Sequence, residues 1–292
     1  MREFLEYLRT EKGKAENTLI AYERDIAAFE KYLKERGKGL GRANESDAVA
    51  YVLDMGNQNK SKATINRKVS SLRNYYDYKI TSGYYSSTNP FAKIKSVKGD
   101  RRQVDYLSID EAAKLMELPE GDKKGLRDRA LLEFMYGTGA RVTEVVRLKF
   151  SDLNLNMNFV TLKDADEEDR LVPLGRYAAE AMNDYVNNAY SEIVGRNPDP
   201  DDFVFVNFRG EALTRQGIWK ILKDYGAILG LADRMTPQIL RDSFAVHILQ
   251  KGGDLKTLQE LMGFEDMSVG IAYLAVTDIH VRDVFKKTHP RA

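Results

Sequence analysis

The strongest constraint on the fold is a break in pattern between residues 82 and 105 of this 292-residue chain. Before the break, apolar residues recur at helical spacing. Within it, SGYYSSTNPF brings Gly, Ser and Asn-Pro, and AKIKSVKGDRRQ is charged and unpatterned. Because a domain typically takes ~150 residues, we predict two domains, at 1–97 and 106–292, joined by a linker at 98–105.

The first 97 residues predict a small all-helical domain. The predicted helices span residues 1–10, about 16–37, 46–57 and 62–81. The last of them has an apolar stripe formed by Ile65, Val69, Leu72 and Tyr76, and its basic residues lie mostly off that stripe. One face of this helix is therefore expected to pack in a core while its basic side chains face solvent or a partner.

The second half predicts an α-rich α+β domain, so the fold class is mainly α with a small β-sheet. RDRALLEFMYGTGA is an apolar helix ended by glycines, and Arg141 is predicted to lie inside the next helix. NFVTLKD and RLVPLG are short β-like runs separated by a charged turn, and residues 202–207 are predicted as a third strand. From Thr214 onward the pattern is mainly helical.

Charge is distributed unevenly along the chain, although the formal net charge is only +1. Residues 1–102 contain 21 Lys+Arg and 13 Asp+Glu, a balance of +8, and the rest of the chain contains 24 and 31, a balance of −7. A concentrated basic stretch at 60–102 is typical of proteins that bind a polyanion, since neutralised phosphates release counterions. The alternative is a solvated helix face followed by a basic linker. The candidate phosphate contacts of this stretch are Lys60, Lys62, Arg67, Lys68 and Arg73.

Composition excludes several other kinds of site. The chain contains no cysteine, so disulfides, thiolate catalysis and cysteine-based zinc sites are impossible. Its three histidines are scattered, and we expect neither a metal nor another cofactor. No apolar run approaches the ~18 to 20 residues of a membrane helix, and the N-terminal residues have no apolar signal region. We therefore expect a cytoplasmic protein that is not associated with a membrane, and if its polyanion is DNA, we expect association with the nucleoid.

Several ordered segments of the second half resemble those of one enzyme family. They are GTGARVTEVVRL, RLVPLG at 170–175, LTRQGIW at 213–219, LRDSFAVH at 240–247, GGDLKTLQELMGFEDMSVGIAYLAV and the ending FKKTHPRA. Their order and spacing are similar to those of the tyrosine recombinases of the phage integrase family, and in particular to the Xer type. The resemblance implies a core-binding, SAM-like DNA-binding domain at 1–97 and a catalytic domain at 106–292, which together form a C-shaped clamp on DNA.

The resemblance also implies a mechanism. A tyrosine hydroxyl attacks a DNA phosphodiester, forms a 3′-phosphotyrosyl bond and releases a 5′-hydroxyl, without ATP or a metal. Arginines bind the phosphate oxygens and stabilise the charge of the transition state. On this basis Tyr273 is the nucleophile, Arg141 and Arg241 are the two arginines, and Arg215 is a further candidate DNA contact.

The chain departs from the family pattern at three positions. The family's histidine three residues before the second arginine is Gln238, and its His or Trp nine residues before the tyrosine is Phe264. The usual lysine position is Ala165, and the nearest lysine is Lys163, in a turn that is acidic here and basic in most of the family. Two hypotheses follow: an active or slow site-specific recombinase used in processes such as DNA integration, or a catalytically impaired paralogue that binds DNA as an architectural or regulatory protein. A third, a helical scaffold that does not bind DNA, would not require the basic stretch.

The resemblance further implies how the protein assembles. Recombinases of this type bind a site as a dimer and exchange strands as a tetramer, and the partner is either a second copy or a related recombinase. The C-terminal helix, predicted at 279–289, would dock on a neighbouring protomer or on its own domain. The free protein is expected to be a monomer in which Tyr273 is held away from the two arginines.

Overall fold

The computed structural model describes residues 1–85, 88–97, 104–163, 169–264 and 266–288, with side chains of the last helix described as far as residue 277. The chain folds into two compact units, Met1–Arg102 and Gln103–Ala292. The predicted linker falls mostly on residues outside the described ranges, as does Ala165 with most of the acidic turn. The described helices include none that is long and apolar enough to span a membrane.

The first unit is built from helices, as its apolar spacing predicts. They are α1 (Arg2–Thr10), α2 (Glu16–Lys34), α3 (Glu45–Asn57) and α4 (Lys62–Thr81), with a short 3-10 turn at Leu40–Arg42. Asn44 caps α3 in a reciprocal capping box, and the Ser61 side chain caps α4. The core is aromatic: the rings of Phe29, Tyr76 and Phe91 pack edge-on or tilted against one another.

The second unit is mainly helical with a small antiparallel sheet, which confirms the predicted fold class. Its elements are α5 (Ile109–Glu117), α6 (Lys123–Thr138), α7 (Val142–Arg147), β1 (Leu153–Asn154), β2 (Phe159–Leu162), β3 (Arg170–Pro173), α8 (Arg176–Tyr185), a π-helical segment (Val186–Tyr190), α9 (Ser191–Val194), α10 (Arg215–Ile228), α11 (Pro237–Gln250), α12 (Leu255–Met262) and α13 (Met267–Thr288). The apolar α6 lies in the core, where Leu131, Phe134 and Met135 are fully buried.

The sheet differs from the prediction in its third strand. The strand order is β1-β2-β3, with Val160 opposite Val172, and residues 202–207 contribute only isolated bridges. The physical reason is that three successive residues of this segment, Val204, Phe205 and Val206, are all buried, so it enters the core instead of presenting alternate faces of a strand.

Two helix boundaries also differ from the prediction. Arg141 is not inside a helix: it is the N-cap residue of α7, with extended backbone angles. The predicted C-terminal helix at 279–289 is not a separate element, because its described part continues α13 without a break to Thr288.

Candidate functional site

The turn between α6 and α7 positions the first arginine. Gly139 ends α6 with a left-handed conformation, φ +61°, which glycine adopts without steric cost. A Cβ at this position would come within 2.5 Å of Cδ1 of Phe244, so the backbone also passes too close to α11 for a larger residue. Two residues later Arg141 is the N-cap residue of α7, and its side chain turns back toward the end of α12.

Glu144 holds the Arg141 side chain from one turn along α7. Its Oε1 accepts a hydrogen bond of 3.2 Å from Arg141 Nη1, and its Oε2 accepts one of 2.9 Å from Arg170 Nη2 on β3. The Glu144 side chain has no solvent exposure. One buried carboxylate therefore balances two guanidinium groups, which lowers the cost of burying each charge.

The second arginine is more deeply buried. Arg241 lies on α11, is 7% exposed and donates hydrogen bonds to the carbonyl oxygens of Gly139 and, at 2.6 Å, Met262. Burial lowers the pKa of its guanidinium to about 10, and the positive charge of Arg141 contributes to the decrease. Arg241 is still protonated at neutral pH, and it is a desolvated cation for which an incoming anion would be a strong partner.

The end of α12 supports both arginines. Arg141 Nη2 donates a 2.7 Å hydrogen bond to the carbonyl oxygen of Gly263. The preceding carbonyl, that of Met262, accepts the hydrogen bond from Arg241. The last carbonyls of a helix have no partner within it and carry partial negative charge, so they are suited to bind cations. Two consecutive carbonyls thereby bring guanidinium groups from α7 and α11 to one place.

Tyr273 lies on α13 beside this arrangement. Tyr273 is 6% exposed and belongs to the same apolar cluster as Phe264 and Phe244. Its hydroxyl donates a 2.7 Å hydrogen bond to Oδ1 of Asp242, the residue next to Arg241 on α11. Gln238 Nε2 donates to the same carboxylate oxygen at 2.8 Å. The nucleophile position is thus connected through one aspartate to the position that carries the family's histidine.

The two remaining altered positions have clear structural settings. Phe264 is 7% exposed, and it packs in the apolar cluster without a ring donor to offer. Lys163 directly follows β2, and its Nζ forms an ion pair of 2.5 Å with Asp152. That partner raises the pKa of Lys163, so the lysine holds its proton more firmly than an isolated one.

The candidate DNA contacts fall into two groups. Lys60, Lys62 and Arg215 are exposed. Arg67 is exposed as well, but its guanidinium forms an ion pair with the buried carboxylate of Asp25, which also lies 3.5 Å from Lys68 Nζ.

Arg73 belongs to the second group, because its guanidinium bonds within the first unit. It donates to the carbonyl oxygens of Phe91, at 3.2 Å, and Ile94, at 2.5 Å. These bonds fix the segment that follows α4 against the helix. The assignment of Arg73 as a DNA contact stays a prediction beside this structural role.

Sequence reasoning missed three residues that organise the site: Glu144, Arg170 and Asp242. A signal was present for each. Glu144 stands at the capping-box spacing after Arg141, and Arg170 opens the RLVPLG segment. Asp242 is the one acidic residue in the α11 sequence, and it is 5% exposed. Charged residues at buried positions require partners, and here the partners are the proposed site residues.

The site residues include no recognisable metal centre. Within the described parts of the chain, no three His, Cys, Asp or Glu side chains gather as a metal ion would require.

Comparison with known proteins identifies the same two parts of the chain. The sequence model of the phage integrase family matches residues 105–280, and that of the phage integrase N-terminal SAM-like domain matches residues 1–83. Tyrosine recombinase XerD of Oceanobacillus iheyensis is 37% identical over 294 residues, an alignment that covers 100% of this chain and 98% of the relative.

Solved structures show the same fold. The Tn1549 transposon integrase in complex with transposon right end DNA has a TM-score of 0.77 at 20% identity, covering 98% of both chains. A lambda integrase tetramer bound to a Holliday junction has a TM-score of 0.68 at 19% identity, covering 93% of this chain and 75% of that one. With family matches to both units and a full-length relative above one-third identity, this chain belongs to the phage integrase family of tyrosine recombinases.

Proposed function

We propose that this protein is a site-specific DNA recombinase in which Tyr273 forms a 3′-phosphotyrosyl bond with DNA. The observation that carries the proposal is the convergence of Arg141 and Arg241 on consecutive carbonyls at the end of α12, with Tyr273 on the helix that follows. The full-length relative named above is a tyrosine recombinase, which favours this function over that of an impaired regulatory paralogue.

The chemistry follows from the residue types. A phosphodiester carries one negative charge, and more charge develops on its non-bridging oxygens as a nucleophile adds. Arg141 and Arg241 present guanidinium donors that are fixed before the substrate arrives, so little reorganisation is needed in the transition state. The buried hydroxyl of Tyr273 is the attacking group. The energy of the broken phosphodiester is kept in the tyrosyl phosphate, so the second transfer needs no ATP.

The altered positions predict a slow enzyme. Gln238 and Phe264 cannot supply the charged or ring N–H donors of the family pattern. Removal of one preorganised donor typically costs ~10² to 10³ in rate, and such losses within one site are not additive. Lys163 is the proposed general acid for the 5′-oxygen, and its ion pair with Asp152 must loosen before it can donate.

A nicked suicide DNA substrate tests the proposal directly. Incubation of the full chain with DNA carrying a candidate inverted-repeat site should give a covalent protein–DNA band on a denaturing gel. Tyr273→Phe should remove the band and leave the gel-shift affinity unchanged, because it deletes one buried hydroxyl. Specific DNA binding without a band in the wild-type protein would instead support the regulatory paralogue.

We also propose the finer features that the family membership suggests. Residues 1–97 form the core-binding domain and 106–292 the catalytic domain, with a linker at 98–105. The protein binds double-stranded DNA, as a dimer on each site and as a tetramer in synapsis, with a second copy or a related recombinase as partner. The solved tetramer of the lambda integrase on a Holliday junction supports this assembly. Without DNA we expect a monomer, which analytical ultracentrifugation with and without site DNA would test.

A further inference from the structure

We propose that Asp242 is the group that accepts the phenolic proton of Tyr273 during DNA cleavage. The inference rests on the proposed recombinase function and adds a proton acceptor, a role that is separate from those of the two arginines and Lys163. Asp242 Oδ1 receives the Tyr273 hydroxyl at 2.7 Å, within the range a proton transfer requires.

Gln238 positions this carboxylate. A glutamine side chain cannot accept a proton and become a charged acid, so the residue at this position cannot itself be the base. It does donate Nε2–H to Asp242 Oδ1 at 2.8 Å, from one helical turn earlier on α11. The amide therefore fixes the orientation of Oδ1, and the carboxylate supplies the basicity that the amide lacks.

The surroundings keep the carboxylate directed at the phenol. Asp242 is 5% exposed, Tyr273 is 6% exposed, and both lie where α11 packs against α13. Arg241, the neighbour of Asp242 in sequence, points to the carbonyls of Gly139 and Met262. Asp242 and Arg241 therefore have different roles: Asp242 accepts the proton of the nucleophile, and Arg241 binds the phosphate.

As the phenolic oxygen forms its bond to phosphorus, the Tyr273 O–H bond breaks and its proton passes to the Asp242 carboxylate. The bond from phosphorus to the 5′-oxygen breaks, and that oxygen takes a proton from the general acid, for which Lys163 is the proposed group. In the reverse reaction the 5′-hydroxyl attacks phosphorus and gives its proton back to Lys163, the bond from phosphorus to the tyrosyl oxygen breaks, and Asp242 returns its proton to that oxygen.

The test compares Asp242→Asn with Asp242→His in the full chain. Asparagine preserves shape and can still accept a hydrogen bond but is not a base, so we expect adduct formation on a nicked substrate to fall ~10² to 10⁴-fold with DNA affinity unchanged. Histidine restores a base of higher ordinary pKa, ~6.5. We therefore expect Asp242→His to recover activity and to move the acidic limb of the rate profile toward pH ~6 to 7, a change that a purely structural role would not produce.

A matched control lies in the same unit. The Tyr225 hydroxyl donates to the buried carboxylate of Asp128 at 3.0 Å, a second Tyr–Asp pair away from the site. Asp128→Asn should leave the pH limb of cleavage where it is in the wild-type protein. Thermal melting and rates per DNA-bound protein separate loss of folding from loss of chemistry in every variant.

A substrate with sulfur at the 5′-bridging position separates the base from the acid. A thiolate leaves without protonation, so this substrate should rescue Lys163→Ala and should not rescue Asp242→Asn. Equal or faster cleavage by Asp242→Asn, or its rescue by sulfur, would overturn the assignment of Asp242 while leaving the recombinase function intact. If the wild-type protein forms no adduct with either substrate, the proposed function fails and the inference fails with it.

Discussion

At the scale of single residues, Glu144 is the charge that organises the second unit around the site. Its side chain is fully buried, and it accepts hydrogen bonds from Arg141 and Arg170. A carboxylate in that position fixes the first arginine of the site and also joins α7 to β3. Loss of its charge would leave two guanidinium groups without their shared counter-ion.

We expect Glu144→Gln to lower the free energy of unfolding by ~3 to 5 kcal/mol, the typical cost of removing one charged partner of a buried ion pair. Urea unfolding measures this change. Glu192→Gln is the matched control, because Glu192 is 58% exposed and pairs with the exposed Lys123, an arrangement worth ~0 to 1 kcal/mol. A similar small change for both variants would show that Glu144 is not the organising charge.

Residue identities at the site were only partly predictable from the sequence. Tyr273, Arg141 and Arg241 were indicated because each stands within a recognisable segment. Most of the interactions that hold them were not, since they join residues far apart in the chain: 122 positions separate Arg141 from Gly263, and 31 separate Asp242 from Tyr273. Sequence pattern describes near neighbours, and only the folded chain reveals such pairs.

At the scale of secondary-structure elements, the link between α6 and α7 is the most restrictive segment. Gly139 has a positive φ, and its missing Cβ leaves space for the Phe244 ring. The same residue offers its carbonyl to Arg241. A larger side chain would therefore push α11 away from the link and disturb both arginines together.

We expect Gly139→Ala to destabilise the unit by more than Gly230→Ala. Gly230 has a comparable φ of +70° and open space around its Cβ position, so alanine there meets only the left-handed backbone cost of ~1 to 2 kcal/mol. Alanine at Gly139 adds overpacking, typically another ~1 to 3 kcal/mol. Denaturant unfolding of both variants gives the comparison, and equal destabilisation would mean that α11 adjusts freely.

Elements with strong periodicity were predicted most closely. The helix expected at 62–81 is α4, Lys62–Thr81, because its apolar stripe and its capping Ser61 both mark the start. The prediction of a strand at 202–207 was wrong, because a run of buried residues has no periodicity to distinguish a strand from an extended core segment. Arg141 was placed inside a helix because its motif continues into α7 without a break in composition.

At the scale of the whole molecule, charge and fold divide the chain at nearly the same place. Residues 1–102 carry a balance of +8, and the remaining residues carry −7. The first unit is therefore expected to supply most of the long-range attraction to DNA, while the second places two positive charges, Arg141 and Arg241, at the candidate site. DNA affinity that depends steeply on salt is the consequence.

We expect Lys62→Gln and Arg73→Gln to differ in this salt dependence. If Lys62 contacts a phosphate, its loss should reduce the slope of log affinity against log salt by ~1. Arg73 already bonds two carbonyls, so its loss should lower the melting temperature of the protein and leave the slope nearly unchanged. Gel shifts over a salt series and thermal melting distinguish the two. An equal reduction in slope for both variants would make Arg73 a phosphate contact.

The two carbonyls at the end of α12, those of Met262 and Gly263, limit how the sequence of such a protein can change in evolution. One residue inserted into or deleted from this eight-residue helix would rotate its last carbonyls by ~100° about the axis. Arg141 and Arg241 would lose their acceptors at the end of α12 in a single event, although neither arginine had changed. Lineages that keep strand exchange should therefore tolerate substitutions in α12 far better than changes in its length, and a length change there would mark a chain that has given up cleavage while retaining its catalytic-looking residues.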